Sequence, residues 1–180
     1  AAVNRLFTQT LDRVRRIPGV QSAAAALTLP YERPLNDGFR LLDGEQTQGY
    51  PVEVVYTTPG YFETLRIKLL EGRDFRDSDT PEAAKAGIVS ESFAARYFKG
   101  REAVGRHLAL EKTPLEVVGV VGDVQQHSGI GPYSPLSVEP TLYIPVAQTS
   151  DGFLQVVHNW FAPRWVIRTA GAPGGITAQV

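Results

Sequence analysis

The run VVGVVGDV offers the most familiar chemical possibility, because Gly119 and Gly122 follow a strand-like apolar stretch. A strand leading into glycines can cradle a phosphate when a helix N-terminus follows. Here the spacing is G-x-x-G rather than G-x-G-x-x-G, and no helical pattern follows Asp123. The run reads instead as a buried strand whose glycines admit a bulge or a close approach. Asp74, Asp77 and Asp79 place three carboxylates close together, a set that suits calcium or acid–base work. A calcium loop of the EF-hand type needs a glycine and a distal glutamate at fixed spacing, which Thr80-Pro81 breaks. Turn and helix-cap roles are expected for all three. His107, His127 and His158 have no partner three or four residues away, as a local zinc pair would require. Ser90, Ser92, Ser128, Ser134 and Ser137 lack the G-x-S-x-G elbow of a nucleophile, and Ser90 is better placed as a helix cap. The expectation is a chain with no catalytic residue, no cofactor site and no metal site.

One group of residues points to contact rather than catalysis. Phe153, Trp160 and Phe161 lie in a segment whose apolar residues fit neither a helical nor a strand period, beside His158, Asn159 and Pro163. An aromatic segment left exposed would suit partner or substrate contact. Tyr143 and Trp165 lie on strand-like runs and read as core.

These residues need a scaffold. Val3, Leu6, Phe7, Leu11, Val14 and Ile17 recur at helical spacing, with Arg5, Arg13 and Arg16 on the other side, until Pro18-Gly19 ends the helix. Those arginines read as a solvated basic face, or more sharply as a contact for acidic lipid headgroups. Strands are expected over 20–29, 39–42, 51–57, 88–89, 107–110, 115–121, 142–146 and 165–168, with Pro30–Gly38 as a loop. Short helices are expected after Asp79-Thr80-Pro81 and from Glu91 to Phe98, and a last one from Ala172. Residues 45–49 and 122–140 are the long loops, where mobility or function is expected. Strands and helices do not alternate regularly, so the fold class is α+β.

Composition narrows the function. The chain has 180 residues, 43% hydrophobic and 21% charged, with 18 basic and 19 acidic side chains and a net charge of −1. A chain this long can bury roughly 70% of its unfolded surface without a disulfide or metal. The near-neutral charge speaks against a nucleic-acid partner. Cysteine is absent, so thiolate chemistry is excluded, and methionine is absent too, so a piece of a longer protein is expected. No apolar run approaches the ~20 residues of a membrane-spanning helix.

The stretch YTTPGYFETLRIKLLEGRDFRDSD, Tyr56 to Asp79, packs a strand end, a Pro-Gly turn, a helical turn, a strand and a second glycine turn together. Through Thr58, Pro59, Tyr61, Phe62, Leu65, Ile67, Leu69, Leu70, Gly72, Arg73, Phe75 and Asp79 it resembles the MacB-like periplasmic core domain of ABC transporter permeases, the MacB/FtsX permease class. Three further blocks resemble the same family in the same order: Ile88 to Gly100 with Val104-Gly105, Glu116 to Val124, and Thr141 to Gln148. Together they span about half the chain. The resemblance implies a split porter-like subdomain, 1–56 with 163–180, and an inserted sabre-like subdomain, 57–150, joined by 151–162. It also implies a non-catalytic periplasmic part of an inner-membrane permease, with both ends emerging on one side toward transmembrane helices of the same parent chain. The implied partners are a cytoplasmic ABC ATPase acting through the membrane, a homodimer or paired permease, and in some members a periplasmic adaptor. A ligand-sensing module binding a small molecule or peptide between subdomains is the other class of function open to this sequence.

Overall fold

Alternating residues on the second strand explain the architecture. The structure is a computed structural model, and it describes residues 2–43, 49–99, 101–125 and 138–175. In β2 (Leu35–Leu41), Leu35, Phe39 and Leu41 belong to one apolar cluster while Asn36 and Arg40 face away. A strand with one apolar face needs neighbours that close over that face. β3 (Tyr50–Thr57) and β6 (His107–Leu110) pair with β2 on its two sides, both antiparallel. Continuing from β6, the ladder runs through β7 (Thr113–Val121), β5 (Ala86–Ser90) and β8 (Thr141–Pro145) back to β3. Six strands therefore form a closed ring, β2-β6-β7-β5-β8-β3. Val54, Tyr56, Phe39, Leu108, Val117 and Leu142 fill its interior. Phe39 meets Phe93 and Tyr97 at ring centroid distances of 4.8 Å each.

A second layer extends from the ring. β1 (Val20–Ala26) touches β3 at Ala26↔Thr57 and pairs along its length with β9 (Arg164–Thr169). α1 (Ala2–Arg15) packs Leu11 and Val14 on Ala23 of β1. Alanine is a weak strand former, yet Ala23 to Ala26 are all buried. Their small size lets α1 approach one face of β1, and the Tyr61–Phe62 segment the other. That segment, α2 (Tyr61–Leu65), lies with Phe75 against Val55, Ile88, Val121 and Tyr143. β4 (Leu69–Gly72) adds to the edge of β7. The sequence block from Tyr56 to Asp79 thus joins ring and layer, and the fold is α+β.

Several expectations differ from the structure. The stretch Pro30–Gly38 is not all loop, because β2 starts at Leu35. No helix follows Asp79; residues 81–83 form turns and the Asp79 carboxylate binds Arg73 instead of a helix terminus. Glu91–Phe98 is a three-residue helix, α3 (Glu91–Phe93), that widens into a π-helical turn, Ala94–Phe98. The residues left unclear after Asp151 form α4 (Asp151–Val157), capped by the Ser150 side chain. Only a 3-10 turn, Pro173–Gly175, is described of the expected last helix. The expected loop over 45–49 falls outside the described residues save Gly49, and so does most of the 122–140 loop, with His127, Ser128, Tyr133, Ser134 and Ser137.

α1 begins where Asn4 Nδ2 donates to the Ala147 carbonyl, while Ala170 N–H donates to Gly19 beyond the far end of α1. A 14-residue helix rises about 21 Å. Asn4 and Ala170 are thus anchored at opposite ends of α1. No helix among the described residues is long and apolar enough to cross a membrane.

Candidate functional site

The three aromatic candidates sit on α4 and the turn after it, and they face three different places. Leu154 and Val157 point into the ring's core, which sets the orientation of α4. Phe153 then lines a cleft at one mouth of the ring. Phe161 packs at the core's edge, with the Arg33 guanidinium 5.7 Å from its ring centroid. Trp160 is 76% exposed, next to the exposed Val156 one helical turn earlier. Of the three, only the Trp160 indole points outward, so there is no converged aromatic cluster; Trp165, expected in the core, is itself 37% exposed.

The mouth cleft has a volume of about 420 Å³. Its walls are mostly apolar: Leu110 of β6, Leu115 of β7, Ile144 of β8 and Phe153. Two carboxylates, Asp37 and Glu111, lie on its rim. Asp37 occupies the inward side of β2, two residues from Phe39 and from Leu35. Burial pushes its carboxyl up, its hydrogen bond from Gly38 N–H partly offsets this, and the charge of Glu111 adds to the rise. Lys85 reaches the cleft from the start of β5, three strands round the ring from β2, and its ammonium donates to the Pro81 carbonyl at 2.6 Å. Gln148 fixes the remaining wall: its Oε1 accepts from Ala86 N–H, and its Nε2 donates to the Thr80 and Ala84 carbonyls. Asp37 was missed in the sequence because its segment reads as loop. The signal is there in Leu35, Phe39 and Leu41, an alternation that puts a carboxylate on an apolar face.

The other chemical candidates have structural roles. Asp79 accepts two hydrogen bonds from Arg73, at 2.9 Å each, and one from Arg76 N–H. Burial alone would raise its carboxyl, but these bonds and the two arginine charges hold it below the usual carboxylate range. Asp74 accepts from Phe75 N–H and Asp77 is exposed, so the three carboxylates do not converge. Among the described residues no cluster of three metal-ligating side chains exists. Gly119 packs against the backbone of Arg73, where a Cβ would lie 2.5 Å from its carbonyl oxygen. Asp123 accepts from Ser92 N–H at the start of α3. Gly119 thus serves close packing, whereas a Cβ at Gly122 would meet nothing nearer than 3.7 Å. Ser90 Oγ accepts from both Phe93 N–H and Thr141 N–H, a cap shared with β8. His158 is hydrogen-bonded to the Tyr56 hydroxyl, and burial lowers its pKa. His107 stands 3.7 Å from Asp43.

Comparison with known proteins agrees with this architecture. The sequence profile of the MacB-like periplasmic core domain matches residues 3–173. A Bacillus subtilis protein described as an uncharacterized ABC transporter permease, YvrN, is 24% identical over 139 residues, covering 76% of this chain. The chain spans 31% of that relative's length. The crystal structure of the periplasmic region of MacB from Actinobacillus actinomycetemcomitans superposes with a TM-score of 0.63 at 14% identity, over 96% of this chain and 69% of that one. The extracellular domain of the noncanonic ABC-type transporter YknZ from Gram-positive bacteria gives 0.59 at 17% identity, over 94% and 75%. At these identities the structures share the fold.

Proposed function

Because the chain belongs to the MacB-like periplasmic core domain family, we propose that it is the extracytoplasmic, non-catalytic part of an ABC transporter permease, and that it carries ATP-driven motion to a substrate or partner outside the membrane. The family match over nearly the whole chain carries this reading. In it, ATP is hydrolysed by a cytoplasmic ATPase, and the permeases work as a homodimer or a pair, some with a periplasmic adaptor. The expected division into 1–56 with 163–180, an inserted 57–150 and a connecting 151–162 runs through the ring, because β2 and β3 pair with β6 and β8; we further propose that the layer of α1, β1 and β9 is the membrane-proximal, porter-like part.

The packing supports a lever. Arg15 of α1 donates to the Ala23 carbonyl and to Pro59, so the first helix grips both β1 and the Pro-Gly turn. Arg168 of β9 donates twice to the Thr64 carbonyl of α2, at 2.9 and 2.6 Å. Two guanidinium groups therefore tie the α1/β1/β9 layer to the block seated on the ring. Exposed Trp160 is the side chain we assign to partner or substrate contact; Phe153 and Phe161, which face the cleft and the core's edge, are left out of that contact.

The test uses the parent permease assembled with its ATPase in lipid nanodiscs. This chain contains no cysteine, so a spin label at Asp12→Cys in each copy reports the distance between two domains. The reading expects that distance to change between the nucleotide-free and the ATP-trapped states. An unchanged distance in both states contradicts it.

A further inference from the structure

We propose that the mouth of the six-stranded ring is a binding site for an apolar molecule that carries a cationic group. The inference stands apart from the lever reading, since it rests on the cleft alone. Barrel mouths are recurrent ligand sites when they combine an apolar wall with a few placed polar groups. Here the wall of Leu110, Leu115, Ile144 and Phe153 accepts an alkyl or aryl body, and the volume of about 420 Å³ holds one of modest size.

The charge arrangement selects the head group. Asp37 stands on the inward face of its strand, where Leu35 and Phe39 are core residues. Glu111, at the turn between β6 and β7, shares that rim: its N–H donates to the carbonyl of Gly38, the residue after Asp37. Two like charges so placed repel each other, and a cation between them relieves the repulsion. The single lysine at the cleft lies across the ring, with its ammonium on the Pro81 carbonyl. An anionic head group would face both carboxylates, while the nearest guanidinium, Arg40, lies on the outward face of β2 and donates to the Glu111 carbonyl at 3.3 Å.

The probes are octyltrimethylammonium and octyl sulfate, which share a chain and differ in charge. Each is titrated into the 180-residue chain by calorimetry and by amide NMR. The ammonium probe is expected to bind saturably, with shifts at Ala86, Gln148 and Phe153, and at least about fivefold more tightly than the sulfate. The double variant Asp37→Asn with Glu111→Gln is expected to cut that affinity by about fivefold while leaving the thermal midpoint and the amide spectrum outside the mouth in place. Both changes keep size and shape, and the side-chain amide introduced by Asp37→Asn retains an oxygen for Gly38 N–H. No saturable binding of the ammonium probe overturns the proposal. So do equal affinities for the two probes, shifts confined to other surfaces, and a double variant that binds as the native chain does.

Discussion

Glu53 is the residue at which stability and pH meet most directly. It is 7% exposed on β3, and one carboxylate oxygen accepts from Asn36 at 2.7 Å while the other has no hydrogen-bond partner among the described residues. Burial raises its pKa to about 7; the Asn36 bond opposes the rise, Glu139 adds to it and Arg33 opposes it. The folded chain keeps the proton up to about pH 7, whereas the unfolded chain releases it near the ordinary value of 4.5. The folded state therefore binds more protons between these values, and stability falls as pH rises through that window. The loss is on the order of 3 kcal/mol. Urea denaturation of the native chain and of Glu53→Gln at pH 5 and pH 8 checks this. The variant is expected to show a flatter pH dependence and to be the more stable of the two at pH 8. Gly72 makes a second prediction at this scale. Its φ is +70°, and a Cβ there would lie 2.2 Å from the Val118 carbonyl oxygen. Gly72→Ala meets both backbone strain and a backbone clash, and is expected to cost about 3 kcal/mol in the same assay.

Elements show why some of the fold was legible in the sequence and some was not. The helix over the first fifteen residues and the β6–β7 hairpin carry clear periods, and both stand where the periods place them. The Ser90 cap was readable because a serine before Glu91 and an apolar run is a local signal. The helix expected after Asp79 failed because the same carboxylate has a stronger option in the bidentate Arg73 bond, a contact that sequence spacing cannot weigh against a cap. α4 was hidden because its buried pair, Leu154 and Val157, is too short a stripe to show a period. The exposed Trp160 follows from α4's orientation, so it too was beyond the sequence, which offered only an aromatic segment. The contacts by which one element grips another are the least visible of all. Arg15 and Arg168 read as ordinary basic residues, yet both donate to carbonyls of distant segments. Arg15→Ala and Arg168→Ala are each expected to destabilise the chain by about 1–2 kcal/mol. Differential scanning calorimetry checks it, with Arg13→Ala on the exposed face of α1 as a control expected to stay within about 0.5 kcal/mol.

For the whole molecule, the ring closes on itself and the α1/β1/β9 layer is fastened to it by the Tyr56–Asp79 block. A closed ring has no free edge within it to slide or unzip, and guanidinium bonds at the seam resist rotation of the layer. Fastened in this way, ring and layer are expected to move as one body while the permease turns over. One distance within a single chain reads whether they do. Spin labels at Gln9→Cys on α1 and Lys112→Cys between β6 and β7 span the seam, and pulsed electron resonance on the parent permease with its ATPase reads the distance without nucleotide and with ATP trapped. One narrow distribution at the same position is expected in both states. A distribution that shifts or splits on trapping ATP would contradict it, because the seam would then be a hinge.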